Sequence, residues 1–332
     1  MKKIKLLTIV CIIILNFSYS QAADNFDQWK INFKKYAQNQ GVSTSTLDKL
    51  IDKSEFLPNV IKYDRYQPEF YEDTKTYIDK RTSNKKLLIG KKIYKNNINK
   101  VELISNKYGV DKNLLLSLMG IETNFGNYLG KMDIISSLAT LSFDKRRSDF
   151  FTSELITLLK LVDQNIVDPN TLYGSWAGAF GNFQFMPSTI KNYAIDYDND
   201  GKISLKETDD SFASAANYLN KLGWNDLQPC FYKIKLKKNI PDEYLNISAK
   251  KIHSVKKVNY LKKYIHESNF LNQYNQLNVA IITPDSDIVE NSDKLSPAYI
   301  IFDNYKLILQ WNRSLRFALA VCTLKDKFKN AL

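Results

Sequence analysis

The sequence has little of what thiol, histidine and zinc chemistry needs. Its 332 residues include 3 cysteines and 2 histidines. His253 and His266 lie far along the chain from every other candidate group, and no cysteine lies at zinc-site spacing from a histidine. A Ser-His-Asp or Cys-His catalytic group is therefore not expected. The chain also lacks the glycine and lysine pattern of a phosphate-binding loop, so nucleotide binding is not indicated.

Long apolar runs are missing after the first residues. Three lysines precede a mainly apolar run from Leu6 to Phe17, and small residues follow it. This order predicts a signal peptide over residues 1–23, because the run is shorter than the roughly 20 residues that cross a bilayer. A retained membrane anchor is the alternative. We expect an exported, periplasmic protein that can associate peripherally with the envelope.

Removal of the signal peptide would take Cys11 and leave Cys230 and Cys322. An even pair of cysteines in an oxidising compartment can form one disulfide. The sequence does not establish that the two Cα atoms come within bonding range.

The chain is basic and globular in composition. Lys+Arg number 47 against 35 Asp+Glu, which gives a net charge of +12, and hydrophobic residues make up 44%. This excludes wholesale disorder and indicates an anionic partner, since nucleic acid, a membrane surface and an acidic glycan all attract positive charge. The lysine-rich stretch 250–263 is either a solvated face or part of such a binding surface.

The apolar spacing predicts a mainly α (α+β) fold. Helical periodicity covers most of residues 26–224, with an extended interruption at 64–70, and a last helix is expected at 314–327. Strands are expected at 231–236, 279–283, 299–302 and 307–309, although short apolar runs also occur in buried helices. The expected domains are an N-terminal helical domain (24–100), a core (101–225), a small partly β domain (226–296) and a C-terminal return to the core (297–332).

Glu122 directly follows the apolar run of a predicted helix. Asp111 can cap this helix, and its residues from Leu114 to Ile121 are apolar nearly all round, which predicts burial. A carboxyl at the end of a buried helix is expected to be partly desolvated. Desolvation would raise its pKa, as a general acid near neutral pH requires. A solvated glutamate at a helix end is the alternative.

Residues 174–188 are rich in glycine and aromatic residues. Gly174, Gly178 and Gly181 would let the backbone pass close to a ligand, and the aromatic side chains offer flat faces for sugar rings. Gln184 could orient a polar group beside an acid. A tight packing corner is the alternative.

Residues 196–207 match the template of a calcium-binding EF-hand loop. Aspartates alternate from Asp196, Gly201 allows the sharp turn, and Glu207 ends the loop. The pattern predicts structural Ca²⁺ and no organic cofactor, and a metal-free acidic turn is the alternative. The predicted ligands are the side chains of Asp196, Asp198, Asp200 and Glu207, the Lys202 carbonyl, and Ser204 directly or through water.

In their order and spacing, these segments resemble the B-type lytic murein transglycosylases. The resemblance rests on residues 120–126 (Gly-Ile-Glu-Thr-Asn-Phe-Gly), 138–143, 174–188, 196–207 and 217–224, and it extends more weakly from Trp29 to Ser314. It implies a lysozyme-like helical catalytic core with an N-terminal helical domain and a small β-containing insertion.

The resemblance also implies an activity and its residues. The reaction would cleave the β-1,4 bond between N-acetylmuramic acid and N-acetylglucosamine without water and leave a 1,6-anhydromuramoyl end. Glu122 would be the sole catalytic acid and base, Ser175, Gln184 and Asn312 would orient substrate, and Tyr218 would line the cleft. The chain departs from the family at 310–312, where Gln-Trp-Asn replaces the usual Arg-Tyr-Asn, and at Phe317, where tyrosine is common. These departures concern contacts in the cleft more than the reaction.

Two other functions stay open from sequence. A hydrolytic muramidase needs two carboxylates about 5 Å or about 6.5–9.5 Å apart, with Asp133 and Asp144 as second candidates. A non-catalytic peptidoglycan-binding protein would also suit the charge and aromatic content. The expected partners are peptidoglycan glycan strands and other cell-wall enzymes. Nucleic acid is not expected, although charge alone does not exclude it, and the chain is expected to be a monomer.

Overall fold

The computed structural model describes residues 25–67, 71–286, 288–290 and 292–332. The predicted signal peptide lies outside these residues. In this part of the chain, none of the helices combines the length and apolar character that a bilayer-crossing segment needs. Helices and strands are numbered below in chain order.

The chain forms two compact units. The first contains described residues 25–65, 129–192 and 199–203, and the second contains the described residues of 66–128, 193–198 and 204–332. The predicted core, 101–225, contributes residues to both units, so the domain bounds expected from sequence stay a prediction.

The first unit is helical, with one small antiparallel sheet. Its helices at Ile134–Phe143 (α8) and Ser148–Asp163 (α9) pack against each other. The aromatic rings of Phe26, Trp29 and Phe143 pack together beside them. The predicted helical spacing of Phe26, Trp29 and Phe33 is confirmed. The elements are α1 (25–39), α2 (Thr44–Thr46) with the π-helical turn Leu47–Ile51, α3 (Pro58–Arg65), β1 (Met132–Asp133), α8 (Ile134–Phe143), α9 (Ser148–Asp163), β2 (Tyr173–Gly174) and α10 (Pro187–Tyr193).

The predicted extended segment at 64–70 is wrong at its start. Helix α3 continues through Asp64 to Arg65. The buried Asp64 carboxylate accepts a hydrogen bond from Arg146 at 2.7 Å and pairs with Arg147 as well. Two cations thus compensate the buried charge inside the helix. Residues 68–70 lie outside the described residues.

The second unit contains the remaining helices. Helix α14 (Leu315–Lys329) packs on α7 (Lys112–Thr123), and α11 (Thr208–Leu222) packs on α6 (Ile98–Tyr108). The predicted burial of α7 is confirmed, since Leu114, Leu116 and Leu118 are fully buried, and Asp111 caps it by accepting the Asn113 N–H at 2.8 Å. The helices are α4 (Thr74–Arg81), α5 (Asn84–Asn96), α6 (Ile98–Tyr108), α7 (Lys112–Thr123), α11 (Thr208–Leu222), α12 (Val258–Leu261), α13 (Asp303–Trp311) and α14 (Leu315–Lys329).

A small sheet completes this unit. Its strands are β3 (Phe231–Ile234), β4 (Leu245–Asn246), β5 (Lys256–Lys257), β6 (Asn278–Ile282) and β7 (Ala298–Ile301). The strand order is β3-β7-β6-β4, and β4 runs parallel to β6. Strand β5 lies outside this order and pairs with β6 in the antiparallel direction. The strands predicted near 231, 279 and 299 are confirmed. The strand predicted at 307–309 is wrong, because Tyr305, Ile308 and Leu309 bury one face of α13 at helical spacing.

A disulfide links Cys230, just before β3, to Cys322 in α14, with the Cα atoms 6.2 Å apart. It joins residues 92 positions apart. For a loop of that length, the lost entropy of the unfolded chain corresponds to about 4–5 kcal/mol of stabilisation. The bond therefore ties the small sheet to the helix that packs on α7.

A buried ion pair holds the start of α14. Asp285 accepts hydrogen bonds from Arg316 at 2.8 Å and from the Thr74 N–H at 3.0 Å. Arg316 also donates to the Pro284 carbonyl at 2.9 Å. The side chains of Arg316 and Asp285 are 3% and 10% exposed, so each charge depends on the other for compensation.

Candidate active site

Helix α7 ends in an unusual turn just after Glu122. Three successive residues, Asn124, Phe125 and Gly126, have positive φ angles of 49°, 61° and 80°. Positive φ is strained for a bulky residue such as phenylalanine. The turn closes through the Asn124 N–H to Gly120 and the Phe125 N–H to Met119, both at 3.2 Å. This geometry folds Phe125 back along the helix.

Two glycines make room for the Phe125 ring. A Cβ atom at Gly120 would lie 2.7 Å from Phe125 Cζ, and a Cβ atom at Gly90 would lie 2.2 Å from Phe328 Cζ and 2.7 Å from Phe125 Cζ. A side chain at either position would therefore force these buried rings to move. The buried ring then anchors the turn that carries Glu122.

Glu122 lines a cavity of about 380 Å³ in the second unit. The carboxyl is half-buried, and its Oε1 accepts a hydrogen bond from Trp311 Nε1–H at 3.0 Å. Within the described part of the chain, Glu122 is the sole carboxylate among the lining residues. The lining residues are Lys80, Ser83, Lys85, Lys86, Ile89, Ile121, Glu122, Thr123, Asn124 and Tyr128.

The same cavity is rich in lysine. Lys86 Nζ donates to the Gly120 carbonyl in the last turn of α7. Burial lowers the pKa of Lys86, and the nearby Arg81 lowers it further. Lys80 and Lys85 add positive charge along the same wall. The surroundings of Glu122 therefore suit a ligand that carries anionic groups.

Three aromatic rings stack behind Glu122. The Tyr218 ring lies 4.3 Å from that of Tyr193 and 5.1 Å from that of Trp311, and both pairs are nearly parallel. The Tyr218 hydroxyl donates to the Gln310 carbonyl at 3.4 Å. Burial raises the pKa of Tyr218 to about 12, so the phenol stays neutral. Asn312 lies at the C-terminus of α13, where its N–H donates to the Ile308 carbonyl at 3.0 Å.

Ser175 and Gln184 lie in the first unit, in the glycine-rich segment. Ser175 Oγ accepts the N–H groups of Ala177 and Ala179 at 3.3 and 3.1 Å. The Gln184 side-chain amide donates to the carbonyls of Leu129 and Gly181 at 3.2 and 3.0 Å. Both side chains thus shape their own loop, and their substrate-orienting roles stay predictions.

The expected sugar-stacking faces of this segment are wrong for three aromatic residues. Phe180, Phe183 and Phe185 are buried. A Cβ atom at Gly178 would lie 2.4 Å from a Leu138 methyl carbon, so the segment packs tightly against α8. The three rings belong to the core, as the alternative of a packing corner describes.

An acidic group lies at the start of α11. One carboxylate oxygen from each of Asp196, Asp198 and Asp210 lies within 4.8 Å of the other two. Asp210 accepts the N–H groups of Tyr197 and Ser204 at 2.8 and 2.7 Å. Burial raises the pKa of Asp210, and the charges of Asp198 and Asp196 raise it further.

The other predicted loop ligands lie outside this group of three. Glu207 precedes α11 at its N-cap position. Asp200 and Lys202 lie in the stretch 199–203 of the first unit, where Asp200 accepts the Lys202 N–H at 2.8 Å. The metal-ligand roles of these residues stay predictions.

The two candidates for a second catalytic carboxylate have structural partners in the first unit. Asp133 caps α8 by accepting the Ser136 N–H at 2.7 Å. Asp144 pairs with Arg65 at 2.9 Å. Both contacts account for these carboxylates without catalysis.

Two residues of the second unit were missed from sequence. Asp210 lies beyond the loop template, and its position in the first turn of the next helix was the available signal. Trp311 was noted as a departure from a family pattern, but its contact with Glu122 joins residues 189 positions apart. No local pattern predicts such a contact.

The mainly helical fold, with Glu122 near the end of a buried helix, matches the lysozyme-like fold of lytic transglycosylases. The chain belongs to the transglycosylase SLT domain family, which matches residues 25–326. The fold class and the family resemblance predicted from sequence are confirmed.

Individual relatives show which members of this family the chain resembles. The chain is 44% identical over 118 residues to membrane-bound lytic murein transglycosylase B of Escherichia coli, a match that covers 35% of this chain and 33% of that protein. The matched part is thus about a third of that relative's length. SltB3 from Pseudomonas aeruginosa, solved with NAG-NAM-pentapeptide, is 28% identical with a TM-score of 0.79, over 92% of this chain and 79% of that one. Catenated lytic transglycosylase SltB1 from the same organism is 25% identical with a TM-score of 0.77, over 90% and 96%.

Proposed function

We propose that the chain is a lytic murein transglycosylase that cleaves the β-1,4 bond between N-acetylmuramic acid and N-acetylglucosamine. The observation that carries this proposal is Glu122, the one carboxylate among the described residues that line a lysine-rich cavity at the end of a buried helix. A single carboxylate can serve as acid and then as base, whereas ordinary hydrolysis by a glycosidase uses two.

Glu122 performs both proton transfers. Its protonated carboxyl donates to the glycosidic oxygen as the bond from that oxygen to C1 of the muramoyl residue breaks. The resulting carboxylate then accepts the proton of the C6 hydroxyl of the same sugar. The C6 oxygen bonds to C1, which closes the 1,6-anhydro ring, and Glu122 is protonated again. Water enters neither step.

Other residues orient the glycan strand. Asn312, in the same unit as Glu122, would orient substrate, and Tyr218 of the aromatic stack would line the cleft. Ser175 and Gln184, in the glycine-rich segment, keep the substrate-orienting roles that the family resemblance implies. Lys80 and Lys85 would attract the lactyl and peptide carboxylates of murein. A structure of SltB3 with a NAG-NAM-pentapeptide supports this choice of substrate. We propose that the enzyme acts on this substrate in the periplasm, after export.

Digestion of purified sacculi tests the proposal. We expect the products to carry 1,6-anhydromuramoyl ends, because the C6 hydroxyl replaces water as the nucleophile. Mass spectrometry of the muropeptides distinguishes these ends from reducing ends, which are heavier by one water molecule, about 18 Da. Reducing muramic ends as the main product would establish a hydrolytic muramidase instead.

We also propose a structural calcium site at the start of α11. Carboxylate oxygens are the ligands that Ca²⁺ prefers, and three of them converge at Asp196, Asp198 and Asp210. Burial raises the pKa of Asp210, and the charges of Asp198 and Asp196 raise it further, so a cation bound here would compensate these carboxylates. Asp200, Glu207, Ser204 and the Lys202 carbonyl are further candidate ligands from the loop pattern. The ion would supply charge compensation and brace the loop.

Calcium is expected to raise the melting temperature by several degrees. A ligand that binds the folded state at 100 times its Kd adds about 2.7 kcal/mol of stability. Differential scanning calorimetry with calcium and then with chelator measures the change. Asp210→Asn should abolish most of it, whereas Asp209→Asn, which removes the same charge from the pair with Lys100, should not. Identical melting curves with calcium and with chelator would contradict the site.

A further inference from the structure

Trp311 is placed to control the geometry of Glu122. Its Nε1–H lies 3.0 Å from Glu122 Oε1 and donates to it. An indole N–H donates and never accepts a hydrogen bond. Oε1 is therefore held as an acceptor, in the protonated acid as in the carboxylate.

We infer that Trp311 is a positioning residue that makes Oε2 the proton-carrying oxygen of Glu122, an inference that rests on the proposed function. A protonated carboxyl has one hydroxyl oxygen and one carbonyl oxygen. Because Trp311 engages Oε1 as the acceptor, the proton resides on Oε2. The same oxygen then donates to the glycosidic oxygen and later recovers a proton from the C6 hydroxyl. The indole N–H stabilises the carboxylate between the two transfers.

The aromatic stack fixes the plane of the indole. Tyr218 lies against one face of Trp311, and Tyr193 lies against Tyr218. Stacked aromatic rings stabilise each other beyond the effect of the area they bury. The Tyr218 hydroxyl also reaches the backbone of Gln310, the residue before Trp311. Tyr218 thus helps to position Glu122 indirectly, because it fixes the indole that donates to the carboxyl.

A tyrosine at position 311 would act differently from this tryptophan. A phenol hydroxyl can donate or accept, so it does not decide which carboxyl oxygen carries the proton. A tryptophan removes that ambiguity. The other titratable groups that line the cavity of Glu122 are Lys80, Lys85, Lys86 and Tyr128, and a change at position 311 leaves all of them in place.

Trp311→Phe tests the inference, because it keeps an aromatic ring in the stack and removes the N–H. We expect kcat on soluble peptidoglycan fragments to fall about 10- to 100-fold, with KM little changed. The lost donor stabilised the carboxylate, so the alkaline limb of the pH profile should move up by about one pH unit. Trp311→Tyr should recover part of kcat.

Trp224→Phe is the matched control. Trp224 is a buried tryptophan whose indole N–H donates to another carboxylate, that of Asp226. The Trp224→Phe substitution should leave the pH profile of the enzyme unchanged. A wild-type kcat and pH profile in Trp311→Phe, or a change in KM alone, would overturn the inference.

A measurement on the wild-type protein covers the case in which the variant does not fold. The ¹⁵N indole resonance of Trp311 should titrate with Glu122, and Glu122→Gln should remove that titration. A resonance that does not titrate would refute the inference. Analysis of the sugar ends made by the wild-type protein separates the positioning role from the proposed function. Anhydro ends together with an unshifted pH profile in Trp311→Phe would refute the positioning role alone. The absence of anhydro ends would refute the proposed function.

Discussion

Glu122→Gln is expected to abolish lysis of purified murein while the protein still folds and binds sacculi. Glutamine keeps the shape of the side chain and can accept the Trp311 hydrogen bond at 3.0 Å. It carries no transferable proton, so both steps of the reaction lose their acid and their base. General acid and base catalysis contributes about 10²- to 10⁴-fold to each step. The rate at which a murein suspension loses turbidity should fall at least about 10³-fold when equal amounts of the two proteins are bound to the murein.

Glu102→Gln provides the control for this substitution. Glu102 lies in the same unit and pairs with Lys112 and Tyr94, away from the residues that line the cavity of Glu122. It should keep near-normal activity and lose at most about 1 kcal/mol of stability, as expected for a partly exposed pair. Undiminished lysis by Glu122→Gln would reject Glu122 as the catalytic acid.

Asp285→Ala is expected to cost about 3–5 kcal/mol of folding stability. The substitution leaves the Arg316 guanidinium buried without its carboxylate and removes the acceptor of the Thr74 N–H. An uncompensated buried charge is costly because the protein interior does not solvate it as water does. Urea unfolding followed by circular dichroism would show the loss as a lower transition midpoint.

Asp242→Ala is the exposed counterpart. Asp242 pairs with Lys294, but its side chain is 74% exposed, so its loss should cost less than about 1 kcal/mol. Equal shifts in the two variants would contradict the view that burial makes the Asp285 pair important. Full activity of folded Asp285→Ala would agree with a purely structural role for the pair.

Local patterns predicted the elements that depend on neighbouring residues. The cap at Asp111 and the burial of α7 follow from residues within one helix, and the strands near 231, 279 and 299 follow from β-branched and aromatic runs. The strand expected at 307–309 failed because three apolar residues fit either period, and packing of α13 decided between them.

Part of the candidate site could be predicted from local features of the sequence. Glu122 could be singled out because it ends an apolar helix, and the loop at 196–207 because its spacing is a template. The Trp311 contact and the ion pair of Asp285 with Arg316 were not predictable, because each depends on how distant segments meet. The glycine-rich segment misled for a related reason: its aromatic residues suit a sugar and a core equally well, and only packing distinguishes the two.

The turn after Glu122 has a consequence for the interpretation of inactivating mutations. A side chain at Gly90 or Gly120 would displace the Phe125 ring, and at Gly90 the Phe328 ring as well. A genetic screen for loss of lysis would therefore recover changes at these glycines together with changes at Glu122. Gly90 precedes Glu122 by 32 positions on a different helix, α5. Inactivating variants at Gly90 would act by disturbing the turn at the end of α7. A map of mutational sensitivity would nevertheless group them with the residues of the catalytic centre.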